Sequence, residues 1–177
     1  QVAVAKSRRQ VVYTIDMRIL GIDPGTGILG FGVIDVSAVG KLSMVTAGVI
    51  TTPAHTPLED RLVEIYDGLT EIIGETKPQV MSIEKLFFAR NVTTAMSVSH
   101  ARGVAMLAGS KGGLEISEYT PLQIKQTLTG YGKADKKQVQ EMVKIQLGLK
   151  QIPRPDDAAD ALAAAITHSL MSRVQTQ

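Results

Sequence analysis

Arg18-Ile-Leu-Gly-Ile-Asp-Pro-Gly-Thr-Gly27 decides how this chain folds. Its first half is apolar, β-prone and ends on a carboxylate, while Pro24-Gly-Thr-Gly27 carries turn chemistry. Residues 30–36 alternate as a second strand, and residues 41–51 read as a third. Beyond them the pattern changes to helix and strand in turn. A helix is expected over 58–75, with Leu62, Ile65, Leu69 and Ile72 at three- and four-residue spacings. Residues 79–84 form a fourth, buried strand, 91–108 a long helix rich in Ala, Ser and Met, and 114–119 a fifth strand. Pro121 suits a first helical position and opens a short helix to about Leu128. Gly130-Tyr-Gly132 breaks the chain, and helices over 136–147 and 156–171 follow.

This order predicts an α/β domain: a mixed five-stranded sheet with helices on both faces. The opening antiparallel hairpin disfavours a doubly wound dinucleotide-binding fold, and the whole succession fits the ribonuclease H-like fold. Asp23 and Glu84 close their strands at the carboxyl end, where α/β sheets tend to place ligands.

Size and composition narrow the chemistry. The chain has 177 residues, 44% hydrophobic and 20% charged, as expected of one globular domain with a substantial core. No apolar run approaches the roughly 18 residues of a membrane span, so no membrane association is expected. With no cysteine there is neither a disulfide nor a thiolate metal site, and His55, His100 and His168 lack paired ligand spacing. Oxygen ligands remain. The net charge of +2 is uninformative, but its distribution is not. Residues 122–154 hold Lys125, Lys133, Lys136, Lys137, Lys144, Lys150 and Arg154 against Asp135 and Glu141, a net of +5, leaving −3 elsewhere. A basic segment beside acidic residues suits a polyanion-cutting enzyme, although a solvated helix face has the same composition. Residues 1–16 precede a methionine and read as an extension or cloning remnant without a secretory signal; the domain is expected over 17–172, with a tail at 173–177.

Four acids carry the chemical reading. Asp23 precedes Pro-Gly and could simply form a turn, and Glu84 could be a solvent-facing strand terminus. Asp156 and Asp157 follow Pro153-Arg-Pro155, where acids commonly cap a helix. Asp160 lies three residues past Asp157 on the same helical face, followed by Ala161-Leu-Ala-Ala-Ala-Ile166. A carboxylate among such residues is costly to bury without a counter-charge. Acids at two strand ends and one helix turn can converge on one point, and oxygen-rich convergence suits Mg²⁺. Two such ions clamp the attacking and leaving oxygens of a phosphodiester, which points to a metal-dependent nuclease.

From about Met17 to His168 the chain resembles the RuvC family of bacterial Holliday-junction resolvases. The matching segments are Arg18-Ile-Leu-Gly-Ile-Asp-Pro-Gly25, Glu84 with Phe87, His100-Ala-Arg-Gly-Val-Ala105, Gln123-Ile-Lys-Gln-Thr127, Lys136-Lys-Gln-Val-Gln140 and Asp157-Ala-Ala-Asp-Ala-Leu-Ala163. The resemblance implies a cytoplasmic, homodimeric endonuclease of DNA repair and recombination that cuts two opposing strands of a four-way junction and works with RuvA and RuvB. It places the catalytic, metal-holding acids at Asp23, Glu84, Asp157 and Asp160, with two Mg²⁺ ions and Mn²⁺ as a substitute. The Asp-Ala-Ala-Asp spacing selects Asp157 over Asp156. Phe87 matches an aromatic that contacts bases, whereas Phe88 reads as core. Lys125 and Lys136 match lysines near the DNA backbone, with Lys137 as a neighbour. The helix containing Met96 and Met106 reads as packed on the sheet, and the resemblance adds a dimer contact.

Three other functions compete. A YqgF-type nuclease shares the fold, but the Phe87 segment and the terminal Asp-Ala-Ala-Asp disfavour it. Gly21-Ile-Asp-Pro-Gly-Thr26 also resembles the phosphate hairpin of actin-like ATPases, which need two lobes and a longer chain. A non-catalytic junction-binding protein would use the lysines and keep its acids as caps.

Overall fold

A computed structural model describes residues 14–85 and 92–174. Strands β1 (Ile15–Asp23), β2 (Ile28–Ser37) and β3 (Leu42–Thr51) form an antiparallel meander. Strands β4 (Val80–Glu84) and β5 (Glu115–Tyr119) extend the sheet on the other side of β1, each parallel to its inner neighbour, giving the order β3-β2-β1-β4-β5. Parallel pairing needs a crossover, and helices α1 (Leu58–Thr76) and α2 (Val92–Lys111) supply them. Helices α3 (Pro121–Thr129), α4 (Lys136–Gln146) and α5 (Asp156–Val174) complete the chain. The expected mixed sheet of five strands is present. Strand β1 begins ahead of Met17: Ile15 pairs with Ser37, so residues 15 and 16 belong to the sheet.

Alternation along the strands divides the core into two layers. Leu20, Ile22, Val33, Met81 and Ile83 pack against Ile65 and Leu69 of α1 and Ala101 and Ala105 of α2. Ile19, Ile34 and Val80 face the other way, onto Ile124 of α3, Val139 and Val143 of α4, and Leu162 and Ile166 of α5. Gly21 and Asp23 share the parity of Ile19 and so look toward α5.

Four contacts seat α5 across the sheet. A Cβ at Gly21 would collide with the carbonyl oxygen of Ala161, and one at Gly30 with that of Asp157, so here helix and sheet meet backbone to backbone. Ser82 Oγ donates to the Ala164 carbonyl at 2.6 Å, and Tyr119 Oη lies 2.9 Å from His168 Nδ1. The Ala-rich composition of α5 follows from this seat. Residues 161–166 are all buried, which larger side chains would prevent at this spacing.

Candidate active site

The register of the sheet brings the first two acids together. Strands β1 and β4 pair from Ile19 with Val80 to Ile22 with Ile83, so one further step sets Asp23 beside Glu84. Both look toward α5: Asp23 through the parity of Ile19, and Glu84 through that of Val80 and Ser82. Across the hairpin Asp23 pairs with Gly30, the residue that lies beneath the backbone of Asp157. Asp157 and Asp160 occupy the opening turns of α5, three residues apart. Two strand ends and a helix start therefore converge because Gly30 has no side chain to hold the helix off.

Burial and charge crowding both raise carboxyls of this group. Asp23 is pushed up to about 7, first by burial and then by Glu84, Asp160 and Asp157, with Lys136 opposing them. Burial also raises Glu84, Asp160 adds to that rise, and Lys125 pulls it back. Asp160 is raised by burial despite its hydrogen bond to Lys136. Like charges near one another add to the rise that burial causes. Among the described residues, no three acids or histidines stand close enough together to hold a metal ion directly. Asp23 is within charge range of the other three acids, and Glu84 of Asp160.

Basic residues edge the same place. A cleft of about 270 Å³ is lined by Glu84 and Asp160 together with Lys125, Lys136, Pro121 and Ile124. Thr120 and Gln123 form a capping box that starts α3, with Pro121 in its first turn. Asp135 and Gln138 do the same for α4 and put Lys136 at its first position. Lys136 Nζ lies 3.0 Å from Asp160 Oδ2 and 3.5 Å from Asp156 Oδ2. Lys125 is half-buried and Lys137 exposed. Asp156 pairs with Arg154 and shares Lys136 with Asp160.

Sequence reasoning places Lys136 on DNA and misses its contact with Asp160. The Asp-x-x-Gln capping box is a usable signal for where α4 starts, but not for the helix it faces. Phe87 and Phe88 lie outside the described residues. Met106 packs against the α1–α2 side of the core, while Met96 of α2 is exposed.

The family model for crossover junction endodeoxyribonuclease RuvC matches residues 19–168. The chain belongs to the RuvC family. It is 52% identical over 153 residues to the crossover junction endodeoxyribonuclease RuvC of Chloroflexus aurantiacus, covering 86% of this chain and 93% of that one. With the enzyme of the same name from Rubrobacter xylanophilus it shares 53% over 156 residues, 88% and 87% of the two chains. The solved structure of Thermus thermophilus RuvC in complex with a Holliday junction substrate superposes with a TM-score of 0.85 at 37% identity, over 90% of this chain and 97% of that one. The fold is therefore ribonuclease H-like, as expected. The chain is an endodeoxyribonuclease of this family, and the actin-like and non-catalytic readings fall away.

Proposed function

We propose that this endonuclease resolves Holliday junctions by hydrolysing phosphodiesters in two opposing strands. Asp23, Glu84, Asp157 and Asp160 would hold two divalent ions, Mg²⁺ with Mn²⁺ as a substitute. The observation that carries this is the placing of Asp23 beside Glu84 by the sheet register, under the first turns of α5, with Glu84 and Asp160 lining a cleft edged by Lys125 and Lys136. The donor set fits the ions: all four side chains offer carboxylate oxygens, as hard cations require, and a cation would offset the burial and like charge that lift Asp23. Held there, such ions would supply activation of the attacking water and stabilisation of the leaving oxygen.

The chain's own groups supply the rest. Lys125, beside Glu84, offsets the phosphate charge that would otherwise face a cluster of carboxylates. Lys137 is free to extend that basic edge along the backbone. Phe87 follows Glu84 by three residues and is assigned the stacking of a base opened at the crossover. The products expected are a 5′-phosphate and a 3′-hydroxyl.

Pairing of cuts calls for a two-fold dimer that presents two such centres to a roughly two-fold junction. Helix α2 supports this assembly: Met96 and Leu107 are exposed and lie three turns apart on nearly the same side, with exposed Gly103 between them. Partnership with RuvA and RuvB and a cytoplasmic setting belong to the same reading. Among the described residues, no helix is long and apolar enough to cross a membrane.

The test is cleavage of a synthetic four-way junction with Mg²⁺ or Mn²⁺, comparing wild type with Asp160→Asn. The variant should bind the junction and lose most cleavage, since its shape is kept and one metal-holding charge is gone. Cutting by the variant at the wild-type rate under saturating protein would remove Asp160 from the site. Ends that DNA ligase cannot reseal would argue against the proposed hydrolysis.

A further inference from the structure

We infer that Lys136 is a resident counter-ion of the acid centre, which leaves Asp160 for a DNA phosphate when a divalent cation binds. The inference rests on the metal-holding role proposed for Asp160. Its starting point is geometric: the ammonium sits 3.0 Å from Asp160 Oδ2. An ion on that oxygen would approach to about 2.0–2.1 Å if it were Mg²⁺. The two cations would then lie within a few ångströms of one another and repel. The doubly charged one holds the oxygen.

The side chain that must yield is built to move. The Lys136 side chain is 53% exposed, against 29% for Asp160. Its Cα is fixed by the capping box at the start of α4, whereas its four-carbon stem is flexible. Asp156, its second partner, keeps Arg154 when Lys136 departs. Lys136 lines the same cleft as Lys125, so an ammonium released from Asp160 is already on the edge that phosphates approach. The contact therefore does two things in succession. It limits repulsion among the acids while the centre lacks metal, and it holds back one DNA-binding charge until metal is present. Metal and DNA binding should consequently favour each other, by the same factor in either direction.

The experiment uses the full chain as wild type, Lys136→Met, Lys136→Arg and Asp160→Asn. Mn²⁺ affinity is measured without DNA by titration calorimetry. Lys136→Met should bind Mn²⁺ about two- to fivefold more tightly, the range set by a partly exposed ion pair. Lys136→Arg should follow the wild type, and Asp160→Asn should bind much more weakly. Binding to a four-way junction with non-hydrolysable linkages at its crossover is then followed against salt, with Mn²⁺ and with chelator. Mn²⁺ should steepen the salt dependence of the wild type relative to Lys136→Met by about one charge in log K against log salt. If Asp160→Asn loses Mn²⁺ while Lys136→Met gains nothing, Asp160 is a ligand but Lys136 is not its counter-ion. If the slope difference between wild type and Lys136→Met is the same with and without Mn²⁺, the side chain does not change partners. If Asp160→Asn binds Mn²⁺ like the wild type, the metal reading fails and takes this inference with it.

Discussion

Replacing Asp23 by Asn should make the metal-free protein more stable, and the size of the effect can be worked from the site. A carboxyl raised from 3.8 to about 7 is disfavoured in its charged form by about 4 kcal/mol, at 1.36 kcal/mol per pH unit. Asp23 keeps some contact with solvent, which screens its neighbours, so about 1–2 kcal/mol should be realised. The sign follows from linkage. Folded Asp23 holds its proton more tightly than the unfolded chain does, so the wild type loses stability as pH rises from 3.8 to about 7. At pH 8 the whole penalty is present, and Asp23→Asn escapes it. For a domain of this size, 1–2 kcal/mol corresponds to a melting temperature higher by about 2–8 °C. At pH 5, inside the titration range, the gap should be smaller than at pH 8. The assay is a pair of thermal melts in chelator at each pH, repeated with saturating Mg²⁺, which should raise the wild type and narrow the gap. A variant that melts no higher than wild type at pH 8, or by the same margin at pH 5, would refute the claim that burying this carboxylate among other acids strains the folded state.

Gly21→Ala should cost about 3 kcal/mol or more, at the upper end of overpacking, because the added methyl meets the Ala161 backbone, which cannot rotate away; a shift below about 1 kcal/mol in urea unfolding would mean α5 is not seated as described. Lys125→Ala and Lys137→Ala should each weaken junction binding and lower its salt slope by very roughly one, and unchanged slopes would leave both as solvated surface. Phe87→Ala should impair cleavage of a fully paired junction more than one with unpaired bases at the crossover, a difference of about 1–3 kcal/mol if one stacked base is lost. Equal losses on both substrates with a lowered melting point would instead make Phe87 a core residue.

Much of the frame is legible in the residues themselves, and the exceptions share a cause. Strands and helices announce themselves through period and punctuation: Pro24-Gly-Thr-Gly27 closes the hairpin, and Pro121 opens α3 where expected. Asp23 and Glu84 are recognisable because a charge ends each apolar run. Helix α5 is harder to place. It is buried along most of its length, so no amphipathic stripe says which side meets the sheet. The information lies in its partner, since Gly21 and Gly30 are small where strand interiors usually carry bulk. The contact of Lys136 is hidden for a similar reason. Its helix start is local and legible, but its proximity to Asp160 depends on how α4 and α5 pack, and no periodicity within either segment encodes that. The start of β1 at Ile15 is masked by the methionine two residues later, which is not a structural boundary.

The backbone-to-backbone seat of α5 also bears on how the protein can be used. Where a helix rests on main chain, its height above the sheet is set by atomic radii and does not depend on which carboxylates project from it. Exchanging Asp23, Asp157 and Asp160 for Asn and Glu84 for Gln leaves Gly21, Gly30, Ser82 and Tyr119 in place, and with them the support under the helix. Such a molecule would keep its lysine-edged cleft without its means of cutting. Labelled, it would serve as a clamp that marks branched DNA and leaves it whole.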